Sequence, residues 1–444
     1  MHHRITALPE NRTDPPCLCI WAKGCVKMSR LIVEGGRKIE GEIRMQGAKN
    51  SVLPILAATL LCEGRSILHN CPRLSDVDAA VQILEYLGCQ VKRAGDTLTV
   101  LPDTVCRSDI PDDLMREMRS SIVFLGAIIA RCQKAAISYP GGCELGPRPI
   151  DLHLQALRKL GTDIVEEQGF LDCVSHGRLK GAKIVLSFPS VGATENIMLA
   201  AVTAKGTTEI INAAREPEIV DLAAFLSKCG AKIKGAGEGT IEITGVETLK
   251  GSEHNVIPDR IVAATYLSCA AITGGRLSLM ECCPDHLKAV LPLFEESGCQ
   301  LEYGEDYISI ERSASLKPLR LVRTMPYPGF PTDAQAPVMA LSTLAGGTTI
   351  FVENIFENRY KHAYELMRMG ADIKIEGRVA VVEGVSSLHG AQVCATDLRG
   401  GAALMTAALA AQGETVITGI HHIDRGYETI EKVLTSVGAR VKRE

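Results

Sequence analysis

The chain has 444 residues, with 48 lysines and arginines against 52 aspartates and glutamates and a formal net charge of −4. Hydrophobic residues make up 46% of the chain, so it is too apolar and too weakly charged to be disordered. The near-neutral balance also disfavours an electrostatic nucleic-acid binder, and no apolar run reaches the roughly 18 residues that a membrane helix needs. At about 150 residues per domain, the length predicts two or three globular domains.

Residues 1–28 differ in character from the rest. They contain Pro15 and Pro16, and a short apolar stretch around Trp21 that no small-residue cleavage site follows. We expect a disordered N-terminal extension here; the alternative is an upstream start codon assigned in error. Because we find no export signal, we expect a cytoplasmic protein.

The 16 cysteines are scattered and include no Cys-x-x-Cys pair. Disulfide frameworks belong to short secreted chains, and zinc sites need closer ligand spacing. The pattern therefore favours reduced thiols that serve as small core residues, and we expect no metal site.

The body of the chain consists of six repeats. An apolar helix ends in glycine and an alternating strand follows, at Gly88, Gly161, Gly230, Gly298, Gly370 and Gly438. The unit is about 70 residues long and predicts the order strand–helix–strand–helix–strand–strand. Six units fit two domains of three units each. Cys89, Cys229 and Cys299 lie at or beside the glycine, which favours a structural role for these thiols.

The second unit is interrupted by residues 139–149, which contain three glycines and three prolines. Such a segment is typical of an extended surface loop. Cys143 lies at its tip, where a thiol could act as an acid, a base or a nucleophile. The alternative is an incidental surface cysteine.

Three further features break the repeat. Lys49 and Asn50 stand where the first long helix begins, a position that suits a bound anion, although a solvated surface lysine is the alternative. Asp333 follows a proline-rich turn and is either a helix cap or a base. Arginines at loop ends could gather a phosphate or carboxylate, although each alone could be a surface charge; they are Arg119, Arg148, Arg359, Arg399 and Arg425.

These motifs together resemble those of the UDP-N-acetylglucosamine 1-carboxyvinyltransferases, also called UDP-N-acetylglucosamine enolpyruvyl transferases, over about residues 29–444. The residues that carry the resemblance are Gly-Ala-Lys49-Asn50, Pro-Gly-Gly-Cys143, Arg148-Pro-Ile-Asp151-Leu-His153, Ser190-Val191-Gly192-Ala-Thr194, Phe-Pro-Thr-Asp333-Ala-Gln and His-Ile-Asp-Arg425-Gly-Tyr. The related shikimate-pathway enzymes share the six-unit architecture but lack the Pro-Gly-Gly-Cys loop.

The resemblance implies an α/β fold of two inverted barrels with their helices inside. Each barrel contains three of the βαβαββ-type units, and a substrate cleft lies between the barrels. It places one domain at residues 50–257, carrying the Cys143 loop, and the other at residues 29–49 together with 258–444.

The implied reaction transfers the enolpyruvyl group of phosphoenolpyruvate to the 3′-hydroxyl of UDP-N-acetylglucosamine and releases phosphate. It is the first committed step of peptidoglycan synthesis. The resemblance makes Cys143 the candidate acid and also a candidate covalent nucleophile towards phosphoenolpyruvate, and it makes Asp333 the candidate base. Lys49 and Arg425 complete the catalytic set. Phosphoenolpyruvate would be bound by Lys49, Asn50, Arg148, Arg399 and Arg425.

For UDP-N-acetylglucosamine the family pattern carries over onto Asn50, Arg119, Arg148, Pro149, Ile150, Asp151, Leu152, Phe188, Pro189, Ser190, Val191, Asp333 and Ile355. Some members have a lysine where this chain has Phe188, so a charge contact is missing there.

The reaction breaks a bond at carbon and implies no metal, no cofactor and no obligate protein partner. The alternatives are a non-catalytic sugar-nucleotide-binding paralogue and a shikimate-type transferase.

Overall fold

A computed structural model describes residues 29–140 and 150–444 of the chain. Among the helices in these two ranges, none combines the length and apolarity that a bilayer crossing requires.

The first part of the described chain alternates short strands with helices that begin after turns. Its elements are β1 (Leu31–Glu34), β2 (Glu40–Arg44), α1 (Lys49–Thr59), β3 (Cys62–Glu63), β4 (Ser66–His69), α2 (Ser75–Leu87), β5 (Gln90–Ala94), β6 (Thr97–Leu101), β7 (Asp109–Ile110), α3 (Asp112–Glu117), a 3₁₀ helix (Arg119–Val123), α4 (Phe124–Cys132) and β8 (Lys134–Ser138).

The same alternation continues after residue 149. The next elements are α5 (Asp151–Lys159), β9 (Thr162–Glu167), β10 (Phe170–Ser175), β11 (Lys183–Val185), α6 (Val191–Ala201), β12 (Thr207–Ile211), α7 (Pro217–Lys228), β13 (Lys232–Lys234), β14 (Thr240–Thr244), β15 (Leu249–Lys250) and β16 (Glu253–Asn255).

The C-terminal part repeats the pattern three more times. It contains α8 (Arg260–Thr273), β17 (Arg276–Met280), a 3₁₀ helix (Pro284–Leu287), α9 (Leu291–Glu296), β18 (Gln300–Tyr303), β19 (Tyr307–Glu311), β20 (Leu321–Arg323), α10 (Thr332–Ser342), β21 (Thr348–Val352), α11 (Lys361–Arg368), β22 (Asp372–Glu376), β23 (Val379–Glu383), β24 (Gln392–Cys394), α12 (Leu398–Ala410), β25 (Glu414–Thr418), a 3₁₀ helix (Ile420–Arg425), α13 (Ile430–Ser436) and β26 (Arg440–Arg443).

Within the described residues these strands form six four-stranded sheets of one design, plus the two-stranded pair β15-β3. The six orders are β16-β4-β6-β5, β7-β8-β10-β9, β11-β12-β14-β13, β2-β17-β19-β18, β20-β21-β23-β22 and β24-β25-β1-β26. In the β20 sheet the first pair is parallel and the next two pairs are antiparallel, and the other sheets follow the same rule. The predicted six-fold repeat is thereby confirmed.

In three of the sheets, one strand comes from a distant part of the chain. Strand β1 lies between β25 and β26, and β2 pairs in parallel with β17. Strand β16 in turn pairs in parallel with β4. The N-terminal strands therefore complete sheets of the C-terminal half, and β16 completes the first sheet of the N-terminal half.

The helices divide into buried and half-exposed sets. Nearly every residue of α1, α6, α8, α10 and α12 is buried, because these helices are rich in alanine and apolar residues on all sides. Helices α8, α10 and α12 pack against one another, as do α1, α4 and α6. The sheets lie outside these helices, which is the predicted inverted arrangement.

Two separate hydrophobic cores follow from this packing. One comprises residues from Val52 to Val256, and the other joins Leu31–Met45 to residues from Val262 to Val441. The domain bounds 50–257 and 29–49 with 258–444 stay a prediction.

The six helix-ending glycines share one backbone conformation. Their φ angles lie between 90° and 107°, a region that side chains with a Cβ rarely enter. Cys89, Cys229 and Cys299 beside them are all buried, which confirms their structural role.

The two segments that connect the cores run side by side. The Ala48 amide donates to the Ile257 carbonyl at 2.7 Å, and the Asp259 amide donates to the Gln46 carbonyl at 2.9 Å. The residue between Gln46 and Ala48 must be a glycine, because a Cβ at Gly47 would lie 1.8 Å from the Asn70 carbonyl oxygen. Helices α1 and α8 therefore begin at the same place.

Candidate functional site

Asp259 joins the beginnings of α1 and α8. Its Oδ1 accepts the amides of Ile261 and Val262 at 2.9 and 3.0 Å and caps α8, while its Oδ2 accepts the Lys49 amide at 3.1 Å. Burial raises the pKa of Asp259, although Arg399 and the amide donors oppose this rise. One carboxylate thus places Lys49 at the junction of the two cores.

The Lys49 side chain points to a carboxylate that the sequence analysis missed. Lys49 Nζ lies 2.6 Å from Asp76 Oδ2, and Arg425 donates to the same carboxylate from Nε at 2.8 Å and from Nη2 at 3.3 Å. Asp76 is only 2% exposed and belongs to α2, whereas Arg425 ends the last 3₁₀ helix. The arrangement brings two predicted cations together across the boundary between the cores.

The charges of this group depend on one another. Burial raises the pKa of Asp76, but Lys49 and Arg425 outweigh burial and leave the pKa below its ordinary value. Burial lowers the pKa of Lys49, Asp76 opposes that change, and Arg425 and Arg399 add to it. Lys49 is 8% exposed, so the alternative of a solvated surface lysine is wrong.

Asp333 lies between two buried arginines. Its Oδ1 accepts from Arg359 Nη2 at 2.9 Å and its Oδ2 from Arg399 Nη2 at 3.3 Å. Asp333 is the second residue of α10, whose cap position is Pro331 and has no side-chain cap. The helix-cap alternative for Asp333 is therefore wrong, and its carboxylate remains 29% exposed towards the site.

Arg399 bonds to Asp333 and is close enough to Lys49 to contribute to the lowering of the Lys49 pKa. Asp397 caps α12 by accepting the Arg399 and Gly400 amides at 3.0 Å each, which fixes the backbone that carries Arg399. Arg399 Nη1 also donates to the Tyr427 hydroxyl at 3.3 Å. Burial lowers the pKa of Arg399, but Tyr427 and Asp333 outweigh it and raise the pKa.

Most of the residues predicted to bind the sugar nucleotide lie at the beginnings of two adjacent helices. Ile150, Asp151 and Leu152 begin α5, and Phe188, Pro189, Ser190 and Val191 lead into α6. The two helices are in contact, and Asn196 Nδ2 lies 3.0 Å from His153 Nδ1 between them. Ser190 caps α6 by accepting the Ala193 amide at 3.3 Å, and Phe188 is 42% exposed.

A buried glutamate, Glu353, bonds to both the Ile355 turn and the beginning of α10. Glu353 Oε1 accepts the Ile355 amide at 2.8 Å, and its Oε2 accepts the Thr332 hydroxyl at 2.9 Å. This contact places the Ile355 turn next to Asp333. Glu353 carries no motif, and only its buried contacts reveal it.

The remaining predicted residues lie partly outside what the structure describes. Cys143, Arg148 and Pro149 fall in residues 141–149, and for Arg119 only the backbone of its 3₁₀ helix is described. Asn50 is half-buried beside Lys49. The described site thus contains the predicted residues Lys49, Asn50, Asp333, Arg399 and Arg425. It also contains Arg359, one of the arginines noted at loop ends, and adds Asp76, Asp259 and Tyr427.

Comparison with known proteins identifies the family of this chain. Residues 33–434 match the family model for EPSP synthase (3-phosphoshikimate 1-carboxyvinyltransferase). UDP-N-acetylglucosamine 1-carboxyvinyltransferase 2 of Caldanaerobacter subterraneus subsp. tengcongensis is 53% identical over 416 residues, covering 94% of this chain and all of that protein. The UDP-N-acetylglucosamine 1-carboxyvinyltransferase of Acinetobacter baylyi is 47% identical with the same coverage.

Solved structures show the same fold. The enolpyruvyl transferase NikO from Streptomyces tendae has a TM-score of 0.85 at 25% identity, covering 94% of this chain and 99% of that one. EPSP synthase from Acinetobacter baumannii has a TM-score of 0.75 at 19% identity, covering 94% of this chain and all of that one. The chain therefore belongs to the EPSP synthase family, and within it to the UDP-N-acetylglucosamine 1-carboxyvinyltransferases.

Proposed function

We propose that this protein transfers the enolpyruvyl group of phosphoenolpyruvate to the 3′-hydroxyl of UDP-N-acetylglucosamine and releases phosphate. The reaction is the first committed step of peptidoglycan synthesis. The observation that carries the proposal is the convergence of Lys49 and Arg425 on Asp76, with Asp333 and Arg399 beside them at the junction of the cores. The activity named for relatives 47–53% identical over most of their length supports the same conclusion.

The cations match the charge of the substrates. Phosphoenolpyruvate brings a phosphate and a carboxylate into a largely buried site, where they need positive partners. Lys49, Asn50, Arg148, Arg399 and Arg425 would bind it. Asp76 bonds to both Lys49 and Arg425, and an incoming phosphate would share these two cations with it.

Two residues would transfer protons. In the addition step the sugar hydroxyl oxygen bonds to C2 of phosphoenolpyruvate while its proton passes to Asp333. The Cys143 thiol delivers a proton to the methylene carbon, C3. In the elimination step C3 returns a proton to the Cys143 thiolate, the C2=C3 double bond re-forms, and the C2–O bond to phosphate breaks so that phosphate leaves with the bonding electrons.

Asp333 fits the role of base because two guanidinium groups hold its carboxylate in place. Only the ionised carboxylate can accept the hydroxyl proton. Its partial exposure leaves room for a hydroxyl to approach.

The beginnings of α5 and α6 would bind the nucleotide part of UDP-N-acetylglucosamine, because the N-terminal amides of helices attract phosphate. The residues assigned to this substrate are Asn50, Arg119, Arg148, Pro149, Ile150, Asp151, Leu152, Phe188, Pro189, Ser190, Val191, Asp333 and Ile355. Phe188 supplies no charge, so we assign the diphosphate contact there to backbone amides near Ser190 and Val191.

The proposal also covers the domain boundaries of the chain and the cellular location of the enzyme. We place the domains at residues 50–257 and at 29–49 with 258–444, supported by the two cores and by the exchange of β2 and β16. The enzyme would work in the cytoplasm on two small substrates, without a cofactor or an obligate protein partner.

A phosphate-release assay tests the proposal. Purified protein should release phosphate only when phosphoenolpyruvate and UDP-N-acetylglucosamine are both present, and mass spectrometry should find the enolpyruvyl sugar nucleotide. Release with shikimate 3-phosphate instead would identify the shikimate-type transferase. Binding of the sugar nucleotide without any release would identify a non-catalytic paralogue.

A further inference from the structure

The first turn of α1 has no capping side chain of its own. Its cap position is Ala48, whose methyl group cannot accept a hydrogen bond from the helix amides. This same turn carries Lys49 and Asn50, the two residues of α1 that we assign to phosphoenolpyruvate. Contacts from outside the helix therefore decide where these two side chains lie.

Two buried aspartates from outside α1 supply these contacts. Asp259 Oδ2 accepts the Lys49 amide at 3.1 Å, as described above, and Asp221 Oδ2 accepts the Ser51 hydroxyl at 2.5 Å. Asp221 belongs to α7 and is 5% exposed, and it has no role in the mechanism above. The two carboxylates thus hold the residues directly before and directly after Asn50.

Asp221 also holds the chain between β16 and α8, which connects the two cores. Its Oδ2 accepts the Ile257 amide at 3.3 Å, and the Ile257 carbonyl in turn accepts the Ala48 amide at 2.7 Å. The same carboxylate oxygen therefore bonds to α1 and to the connecting segment. The first turn of α1 is fixed to α7 both directly and through this segment.

A buried histidine fixes the direction of the Asp221 carboxylate. His254 Nε2 lies 2.8 Å from Asp221 Oδ1, and Lys228 Nζ lies 3.3 Å from His254 Nδ1. Because an ammonium group can only donate, Nδ1 accepts from Lys228 and Nε2 carries the proton that Asp221 accepts. Both carboxylate oxygens are therefore bonded, and Asp221 cannot turn away from Ser51 without leaving the buried His254 unpaired.

We propose that Asp221 is a positioning residue for phosphoenolpyruvate binding. Through the Ser51 hydroxyl it fixes the first turn of α1, and with that turn the placement of Lys49 and Asn50. The inference rests on the proposed function, in which these two residues bind phosphoenolpyruvate. It adds a buried carboxylate that acts on the substrate through α1 alone.

Two substitutions test this role by steady-state kinetics. Ser51→Ala removes the hydroxyl, and Asp221→Asn removes the charge at nearly constant shape. In each variant we expect KM for phosphoenolpyruvate to rise at least about fivefold, while kcat and KM for UDP-N-acetylglucosamine stay within about threefold. Saturating phosphoenolpyruvate can still bring Lys49 into place, and most residues assigned to the sugar nucleotide lie at α5 and α6. Ser227→Ala, at an exposed position on α7, is the control.

The double variant separates positioning from a general loss of stability. If both changes act through one bond, Ser51→Ala combined with Asp221→Asn should raise KM for phosphoenolpyruvate little further than Asp221→Asn alone, whereas independent effects multiply. Multiplying effects, an equal rise of KM for the two substrates, or an unchanged KM for phosphoenolpyruvate in Asp221→Asn would overturn the proposal.

Hydrogen exchange followed by mass spectrometry tests the same contact without turnover, and Ser51→Ala suffices for it if Asp221→Asn does not fold. Peptides covering residues 47–52 should exchange faster in Ser51→Ala than in the unmodified protein, while peptides from α12 should not change. Equal exchange of the first turn in the two proteins would overturn the proposal even in an active enzyme. If the unmodified protein released no phosphate, the proposed function would fail, and the exchange difference would still decide whether Asp221 holds this turn.

Discussion

Arg425 and Asp76 lie 349 positions apart in the chain and are joined by two hydrogen bonds, at 2.8 and 3.3 Å. Lys49 approaches the same carboxylate, so two predicted substrate-binding cations depend on one buried aspartate. Removing the charge of Asp76 would leave two cations facing each other in a buried space.

Asp76→Asn should therefore weaken both the site and the fold. We expect the free energy of unfolding to fall by about 3 kcal/mol, because a buried charge loses its partner, and kcat/KM for phosphoenolpyruvate to fall at least about tenfold. Urea denaturation and steady-state kinetics measure the two effects. Asp78→Asn on the same helix, at a largely exposed position, should change neither, and equal effects at both positions would contradict the role of Asp76.

Lys49 should impose an alkaline limit on phosphoenolpyruvate binding. Burial lowers the pKa of Lys49, so its ammonium is lost at a lower pH than the ordinary lysine value of 10.5. We expect kcat/KM for phosphoenolpyruvate to fall as the pH rises towards that value. Lys49→Arg should shift the fall to higher pH, since guanidinium stays charged; a limb that does not move would assign the titration to another group.

Asp333→Asn should abolish turnover without preventing binding. The amide cannot accept the hydroxyl proton, so we expect kcat to fall by about a hundredfold or more. Isothermal titration should still detect UDP-N-acetylglucosamine. Asp372→Asn, at an exposed position on β22, is the matched control. Turnover near that of the control would exclude Asp333 as the base.

Cys143→Ser should lose most of the turnover, because a serine hydroxyl is a far weaker acid than a thiol. The phosphate-release assay measures the loss, which we expect to exceed about a hundredfold. Cys106→Ser, at an exposed cysteine elsewhere, should keep the full rate. A Cys143→Ser variant with the full rate would leave Cys143 without a chemical role.

Glu218→Gln tests the buried connection between α7 and α8. Arg260 Nε lies 3.0 Å from Glu218 Oε1, and both side chains are less than 10% exposed. Removing one charge of such a pair should lower the free energy of unfolding by about 3 kcal/mol. Glu247→Gln, at an exposed position, is the control in the same denaturation experiment, and equal stability of the two variants would show that the pair contributes nothing.

The sequence alone determined the repeat and the family. Six glycines at similar spacing predicted the six units because a helix that ends in the left-handed conformation needs a residue without a Cβ. The motifs around Lys49, Cys143, Asp333 and Arg425 singled out these residues as catalytic candidates because they interrupt that repeat. These signals are local, so they can be detected without knowing which segments meet in the folded chain.

Only the tertiary structure decided what those residues contact. Asp76, Asp259 and Glu353 lie in ordinary helical or loop contexts, and they become part of the site through bonds to distant residues. The rejection of the cap alternative for Asp333 likewise depended on where α10 begins, and the bonds of its carboxylate to Arg359 and Arg399 could not be predicted locally. The charge of a buried group depends on neighbours from several segments, and no local pattern encodes which neighbours those are.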